Sequence, residues 1–344
     1  MGKFTGYESE IKNGNILSVQ MNILNICTSR CKSCRKYTWP NDKLSLDDIC
    51  NTLKVLKEKF GLQTVVFSGG DPILYLQFDK VIEFCVNEDI SFSLITTLIT
   101  SNKNLVEMIA KYAYRIHCSI DSTNISRYKV IRGVDGLKAA FFNIKTINTI
   151  RKKENKIPIR ISSTISKMNY DETYKLYEFA KCTGSLINFY FLHTWDDLKM
   201  SNEEIGEFYN QIEKVCINEK ESKNIISNSR GVLLQKYDYD SESYSKHCKS
   251  CYIPRVSATI NANGDIYPCC FLLQDNNSYG HQLKYAYGNI CGKSLEDIER
   301  EFNKRLYIRY PLDDKYCQEC GQRYSDELND LEKIIEGRKD KIFL

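Results

Sequence analysis

Six short runs rich in apolar and β-branched residues punctuate the first two hundred positions: Leu17–Leu24, Gln63–Phe67, Ser91–Thr97, Tyr114–Ile120, Ile157–Ile165 and Leu186–Leu192. Each reads as a strand. Between them, apolar positions fall at helical spacing. The clearest helix covers Ser45–Phe60, with Ser45 as N-cap, Leu46, Ile49, Leu53 and Phe60 on one face, and Gly61 as the stop. A second opens at Asn169 with Glu172 in the capping-box position and runs to Cys182 before Gly184. Strands alternating with helices imply βαβ units around a parallel sheet, closed or partly closed into a barrel. Within the later strands polarity alternates: Arg160, Ser162, Thr164 and Ser166 against Ile159, Ile161, Ser163 and Ile165, and His117, Ser119 and Asp121 against Ile116, Cys118 and Ile120. A closed barrel fills its interior with branched apolar side chains. Polar alternation fits a sheet with one face under helices and the other lining a wet cavity; an edge strand facing water is the alternative.

The pattern changes after residue 198. Residues 199–245 mix helix with a polar linker, and 246–344 form a smaller cysteine-bearing unit beside the barrel of 1–198. In that unit Ala258–Tyr267 reads as a hairpin turning at Asn263-Gly264-Asp265, and Ser294–Phe302 as a helix.

Composition narrows the class. The chain has 344 residues, 42% of them hydrophobic and 27% charged, which is enough apolar material for a large core. No apolar run approaches the length of about 20 residues that spans a bilayer, and the N-terminus lacks a secretory h-region. A cytoplasmic protein is expected. Lys and Arg exceed Asp and Glu by a net charge of only +4, too balanced for a nucleic-acid or membrane surface. Fifteen cysteines in such a chain point away from disulfides and towards metal or redox chemistry.

Three of those cysteines, Cys27, Cys31 and Cys34, follow the first strand in a Cys-x3-Cys-x2-Cys spacing. Such thiolates can hold three corners of an iron–sulfur cube and leave the fourth iron open; a zinc knuckle is the other reading. Their place at the C-terminal end of a barrel strand favours a reaction centre. The second strand ends in Gly69-Gly70-Asp71-Pro72, where glycines permit close backbone approach and proline sets the turn. Ser119-Ile120-Asp121 ends the fourth, and Arg132-Gly133 follows.

Taken together these motifs resemble the radical S-adenosylmethionine (SAM) superfamily. The resemblance implies an α/β fold, a partial (β/α)6 barrel, with a [4Fe–4S] cluster on Cys27, Cys31 and Cys34 whose open iron chelates SAM. It implies reductive SAM cleavage to a 5′-deoxyadenosyl radical that abstracts hydrogen from an unactivated C–H bond. It places Gly69, Gly70, Asp71 and Pro72 at the SAM amino group, and Ser119, Asp121, Arg132 and Ser162 among the remaining cofactor contacts. Where the family has an aromatic residue before the third cysteine, this chain has Ser33, and Asp71 stands where the family has glutamate.

Farther on, Cys251-x12-Gly264-x4-Cys269 and then Cys317-x2-Cys320 resemble the SPASM/twitch extension of the same superfamily. With Cys320 the last cysteine, the shorter twitch form is expected, with a second, auxiliary [4Fe–4S] cluster on Cys251, Cys269, Cys317 and Cys320. Cys248 makes a Cys-x2-Cys pair with Cys251, which is also zinc-ribbon spacing, and Cys270 could exchange with Cys269. A Cys270 outside the cluster is a candidate hydrogen donor to a substrate radical, or a buried apolar side chain.

The resemblance implies an oxidoreductase fed by a flavodoxin- or ferredoxin-type reductant. Its substrate is a small polar metabolite, oxidised with the auxiliary cluster as electron acceptor, or a peptide or protein. Only 26 residues precede Cys27, fewer than a leader-recognition domain needs, which leans towards the metabolite or towards a peptide whose recognition partner is a separate chain. A non-catalytic iron–sulfur or zinc protein is the remaining class.

Overall fold

A computed structural model of the chain describes residues 9, 13–34, 39–191, 196–222, 253–273 and 283–308. The first strand, β1 (Ser18–Leu24), buries Val19, Met21 and Ile23 on one face and sets Gln20 and Asn22 on the other. Five more strands follow in parallel: β2 (Thr64–Gly69), β3 (Ser91–Thr96), β4 (Arg115–Ser119), β5 (Arg160–Ile165) and β6 (Leu186–Phe191). The crossovers carry α1 (Leu46–Phe60), α2 (Phe78–Asn87), α3 (Lys103–Tyr112), α4 (Ile125–Arg132), α5 (Leu137–Lys153) and α6 (Thr173–Thr183). After β6 comes α7 (Asn202–Ser222), packed on α6.

Local chemistry explains most of these boundaries. Ser45 caps α1 by accepting from the Asp48 N–H at 3.0 Å, and Gly61 ends it in the left-handed region at φ 65°. The expected capping box of the sixth helix does not form. The Asn169 amide instead donates to the carbonyls of Asp121 and Thr164, and the Glu172 carboxylate accepts from Ser122 Oγ and Thr123 N–H. Both residues are drawn to the end of β4, so α6 starts at Thr173 after a short 3-10 turn.

The sheet has the order β6-β5-β4-β3-β2-β1-β7-β8-β9. Strands β1–β6 of this sheet are the partial barrel expected from the sequence. The hairpin expected at 258–267 is β7 (Ser257–Ile260) and β8 (Asp265–Tyr267), turning at Gly264 with φ 85°. It continues the barrel sheet instead of standing apart, because β7 pairs in parallel with β1, Gln20 opposite Thr259. A two-residue β9 (Gly288–Asn289) and α8 (Leu295–Asn303) complete the described part. Ser294 caps α8, whose Phe302 meets Phe60 of α1 at 5.9 Å between ring centroids.

One face of the sheet lies under the helices. Met21, Phe67, Phe92, Leu94, Ile116, Cys118, Ile161 and Ile187 there are 0–1% exposed. His117, Arg160, Ser162 and Thr164 stand on the opposite face and keep partial solvent contact. The polar alternation therefore runs through interior strands and marks the uncovered face of a curved sheet. Among the described residues no helix is long and apolar enough to cross a membrane.

Candidate active site

Beyond Leu24 the chain leaves the sheet and returns beside it. The Asn25 amide donates to the Pro40 carbonyl, its N–H to Asp42, and the Leu44 N–H to Ile23, closing a loop that carries Cys27, Cys31 and Cys34. Two backbone clasps fix that loop. At the end of β2, Gly70 N–H donates to the Leu24 carbonyl at 2.7 Å and Asp71 N–H to Ile26 at 2.9 Å. A Cβ on Gly69 or Gly70 would collide with the carbonyls of Leu24 and Ile26. At the end of α4, the Arg30 N–H donates to the Arg132 carbonyl at 2.8 Å and Lys32 N–H to Ile131 at 2.9 Å. Gly133 ends that helix at φ 66°, where a Cβ would lie 2.7 Å from Arg30 Cβ and 2.8 Å from its carbonyl oxygen. The glycines of both motifs thus let two secondary elements touch the cysteine loop.

The three thiols sit close enough for Cys27 and Cys34 each to raise the Cys31 pKa. Burial is the larger cause, pushing Cys31 up to about 12, while the Arg132 charge pulls it down. Burial also raises Cys27, whose Sγ accepts from the Ser29 N–H at 3.3 Å. Buried thiols of this kind are inert until a metal centre takes the proton's place. Among the described residues no three His, Cys, Asp or Glu side chains converge on a single metal ion.

Behind the loop lie two buried acids. Asp71 is 1% exposed; its carboxylate accepts from Thr96 Oγ1 at 2.7 Å and from the Thr97 N–H and hydroxyl. Burial still holds its pKa above the usual carboxylate range. Its side chain is engaged with the end of β3, leaving the Gly69–Pro72 backbone to face the loop. Asp121, also 1% exposed, pairs with Arg132 Nη1 at 2.9 Å and accepts from Thr164 N–H at 2.8 Å. Arg132 is 8% exposed, a buried guanidinium. Its Nε is buried with no hydrogen-bond partner among the described residues. A carboxylate such as that of SAM would satisfy this donor beside Cys31, so the residues present fit the group. Ser119 and Ser162, opposite each other in register on β4 and β5, are both half-buried on the uncovered face.

In the C-terminal hairpin, Cys269 packs against Trp39, Tyr267, Leu272, Leu273 and Tyr285, a cluster that ties the tail of the cysteine loop to β8. Cys270 begins the single helical turn Cys270–Leu273 and is half-buried. Cys248, Cys251, Cys317 and Cys320 lie outside the described residues. Cys291 belongs to none of the cysteine motifs and is exposed. It lies against Gly264, where a Cβ would strike its sulfur, and its thiol donates to the Asn263 carbonyl at 3.4 Å. Nothing in the spacing marked that contact, which is made by chain folding back through β9.

Residues 21–179 match the sequence model of the radical SAM superfamily, and 248–321 that of SPASM, an iron–sulfur cluster-binding domain. A probable GTP 3′,8-cyclase of Methanocaldococcus jannaschii is 23% identical over 274 residues, covering 76% of this chain and 87% of its own. An AdoMet-dependent heme synthase of Methanosarcina barkeri is 25% identical over 164 residues, 46% of each chain. Among solved structures, anSMEcpe with bound AdoMet superposes with a TM-score of 0.63 at 15% identity, over 94% of this chain and 97% of its own. SuiB of Streptococcus suis gives 0.60 at 17% identity, and the aligned part spans 78% of this chain and 65% of SuiB. These two likenesses establish the fold. The two domains together bring a [4Fe–4S] cluster with SAM and further iron–sulfur clusters. Parallel sheet, clasped cysteine loop and both sequence matches agree that the chain belongs to the radical SAM superfamily and carries a C-terminal SPASM domain.

Proposed function

We propose that the protein uses SAM to abstract hydrogen from an unactivated C–H bond of a small polar substrate, in a net oxidation. The observation that supports the substrate class is the uncovered sheet face, which offers an imidazole, hydroxyls, amides and a guanidinium in place of the apolar filling of a closed barrel. The cluster and SAM, when bound, supply the one-electron cleavage and the hydrogen-abstracting group. The chain's residues do the rest. Cys27, Cys31 and Cys34 hold the cluster. Arg132, fixed by Asp121, receives the SAM carboxylate, and the Gly69–Pro72 backbone meets the amino group. Ser119 faces the bound cofactor.

In this proposal Cys251, Cys269, Cys317 and Cys320 hold one auxiliary cluster of the twitch kind, which accepts the substrate electron, and a flavodoxin or ferredoxin of the cytoplasm supplies the first one. The sequence relatives named as GTP 3′,8-cyclases favour a small substrate. A peptide substrate is the second reading; solved neighbours include anSMEcpe with bound Cp18Cys peptide and SuiB bound to precursor peptide SuiA. If Cys270 returns a hydrogen atom, the outcome is redox-neutral, and Cys270→Ala then yields an oxidised product. The central test is anaerobic reconstitution with iron, sulfide and dithionite. Wild type is expected to carry about eight irons in two cubes and release 5′-deoxyadenosine, and Cys31→Ala to lose both the first cluster and SAM cleavage. Cleavage by Cys31→Ala sinks the assignment of the loop.

A further inference from the structure

Four described arginines lie in or near the core; Arg132 pairs with Asp121, and two more explain themselves. Arg151 donates to the carbonyls of Ala110, Ala113, Tyr114 and Ile157, stitching α3 and β4 to its own helix. Arg305 donates to the carbonyls of Phe302 and Gly14. Arg160 does nothing of the kind. It starts β5 on the uncovered sheet face, its Nε is buried without a partner, and its guanidinium has no hydrogen-bond or ion-pair partner among the described residues. A half-buried guanidinium left unused is costly unless a further group completes it.

Its surroundings point to what that is. In register beside it stands His117, whose Nδ1 lies 3.4 Å from Ser162 Oγ. Next in register to Ser162 is Asn188, 6% exposed, which donates to the Tyr190 hydroxyl and keeps a buried Oδ1 without a partner. The charged groups that act on His117 are Arg160 and Arg115, and those that act on Arg160 are Arg115 and the Tyr190 phenol. No carboxylate figures among them. Burial and the two guanidiniums hold His117 neutral, its pKa lowered to about 4, so the imidazole can offer a hydrogen bond without adding charge. The face therefore gathers fork donors, a neutral imidazole and a hydroxyl, with no anion among the described residues to meet them.

We infer that Arg160, His117 and Ser162 form a subsite for an anionic group, a phosphoryl or carboxylate group, of the small substrate. The inference rests on the functional reading above, which needs a polar substrate held against this face. Arg160 supplies the planar two-point contact that such oxygens accept, and the Asn188 Oδ1 takes a proton donor of the same molecule.

The four histidines make His117 a convenient reporter. Full-length protein, reconstituted anaerobically and labelled with 13C-histidine, is titrated with pyrophosphate and separately with succinate at constant ionic strength. His117→Gln assigns the resonance. We expect a saturable shift of the His117 signal with one of the two probes; pyrophosphate responding assigns a phosphoryl group, succinate a carboxylate. Arg160→Met should weaken that probe about tenfold or more. Arg160→Lys, which keeps charge without the fork, should fall between, and it decides the matter if Arg160→Met fails to fold. No saturable shift with either probe up to about 10 mM, beyond the millimolar range of a weak single contact, overturns the subsite, as does unchanged affinity in both variants. SAM cleavage by the same wild-type sample is read in parallel. Cleavage without probe binding overturns the subsite alone, and probe binding without cleavage supports the subsite while overturning the functional reading.

Discussion

Gly133 and Gly184 offer a matched pair of perturbations. Both follow a helix as its C-cap, at φ 66° and 65°, so alanine costs each the same left-handed strain, about 1 kcal/mol. They differ in what surrounds them. A Cβ on Gly184 meets nothing within 4 Å, whereas on Gly133 it lies 2.7 Å from Arg30 Cβ and 2.8 Å from the Arg30 carbonyl oxygen. Those contacts are with the backbone and stem of the cysteine loop, which cannot rotate away. Relief requires the loop to move off α4 and strain the Arg30–Arg132 and Lys32–Ile131 hydrogen bonds. Overpacking of this sort adds roughly 1–3 kcal/mol. Gly133→Ala is therefore expected to lower the urea midpoint of the protein two- to fourfold more than Gly184→Ala does. It should also lose iron from the first cluster, read by iron analysis and by electron paramagnetic resonance after reduction. Equal destabilisation by the two substitutions, with equal iron retention, refutes the clasp.

Further outcomes follow from the buried charges. Asp121→Ala leaves the Arg132 guanidinium buried and uncompensated and should cost about 3–5 kcal/mol of unfolding free energy. Asp121→Asn combined with Arg132→Met removes both charges and should cost less than the single change; a double variant as unstable as the single one contradicts the pairing. Arg132→Leu should weaken SAM binding ten- to hundredfold, about 1.5–3 kcal/mol, with the iron content unchanged, as isothermal titration under anaerobic conditions reports. For His117 the folded pKa lies below the unfolded one, so its contribution to stability is full above pH 6.5 and declines as pH falls towards 4. The stability gap between wild type and His117→Gln should shrink by up to about 1.4 kcal/mol per pH unit across that window, and a constant gap denies the shift.

Much of this was legible from residue types alone. The six parallel strands, the Ser45 cap, the Gly61 stop and the turn at Gly264 each announce themselves through local chemistry, and local chemistry is what a sequence displays. The cysteine spacing and the glycine motifs marked the loop and its neighbours in the same way. What could not be read was who meets whom across long separations. Asn169 and Glu172 carry the letters of a capping box, yet the unsatisfied groups at the end of β4 compete for them and win. Gly133 stands in the sequence only as half of an Arg-Gly pair, and its use in admitting Arg30 depends on a loop a hundred positions earlier. The pairing of β7 with β1 is likewise a tertiary choice, since either the barrel edge or a separate small sheet could have accepted that strand.

That pairing has a consequence for how the protein can vary. Because β1 leads into the Cys27 loop and β8 leads to Cys269, with β7 between them, the lateral offset of the two cysteine segments is two strand spacings, about 10 Å. Hydrogen-bond register, Gln20 against Thr259 and Thr259 against Tyr267, sets the offset along the strands. Helix α7, which lies between β6 and β7 along the chain, sets neither dimension. It can change length or composition over generations while the spacing of the Cys27 and Cys269 segments stays the same, like a gauge cut into the sheet itself.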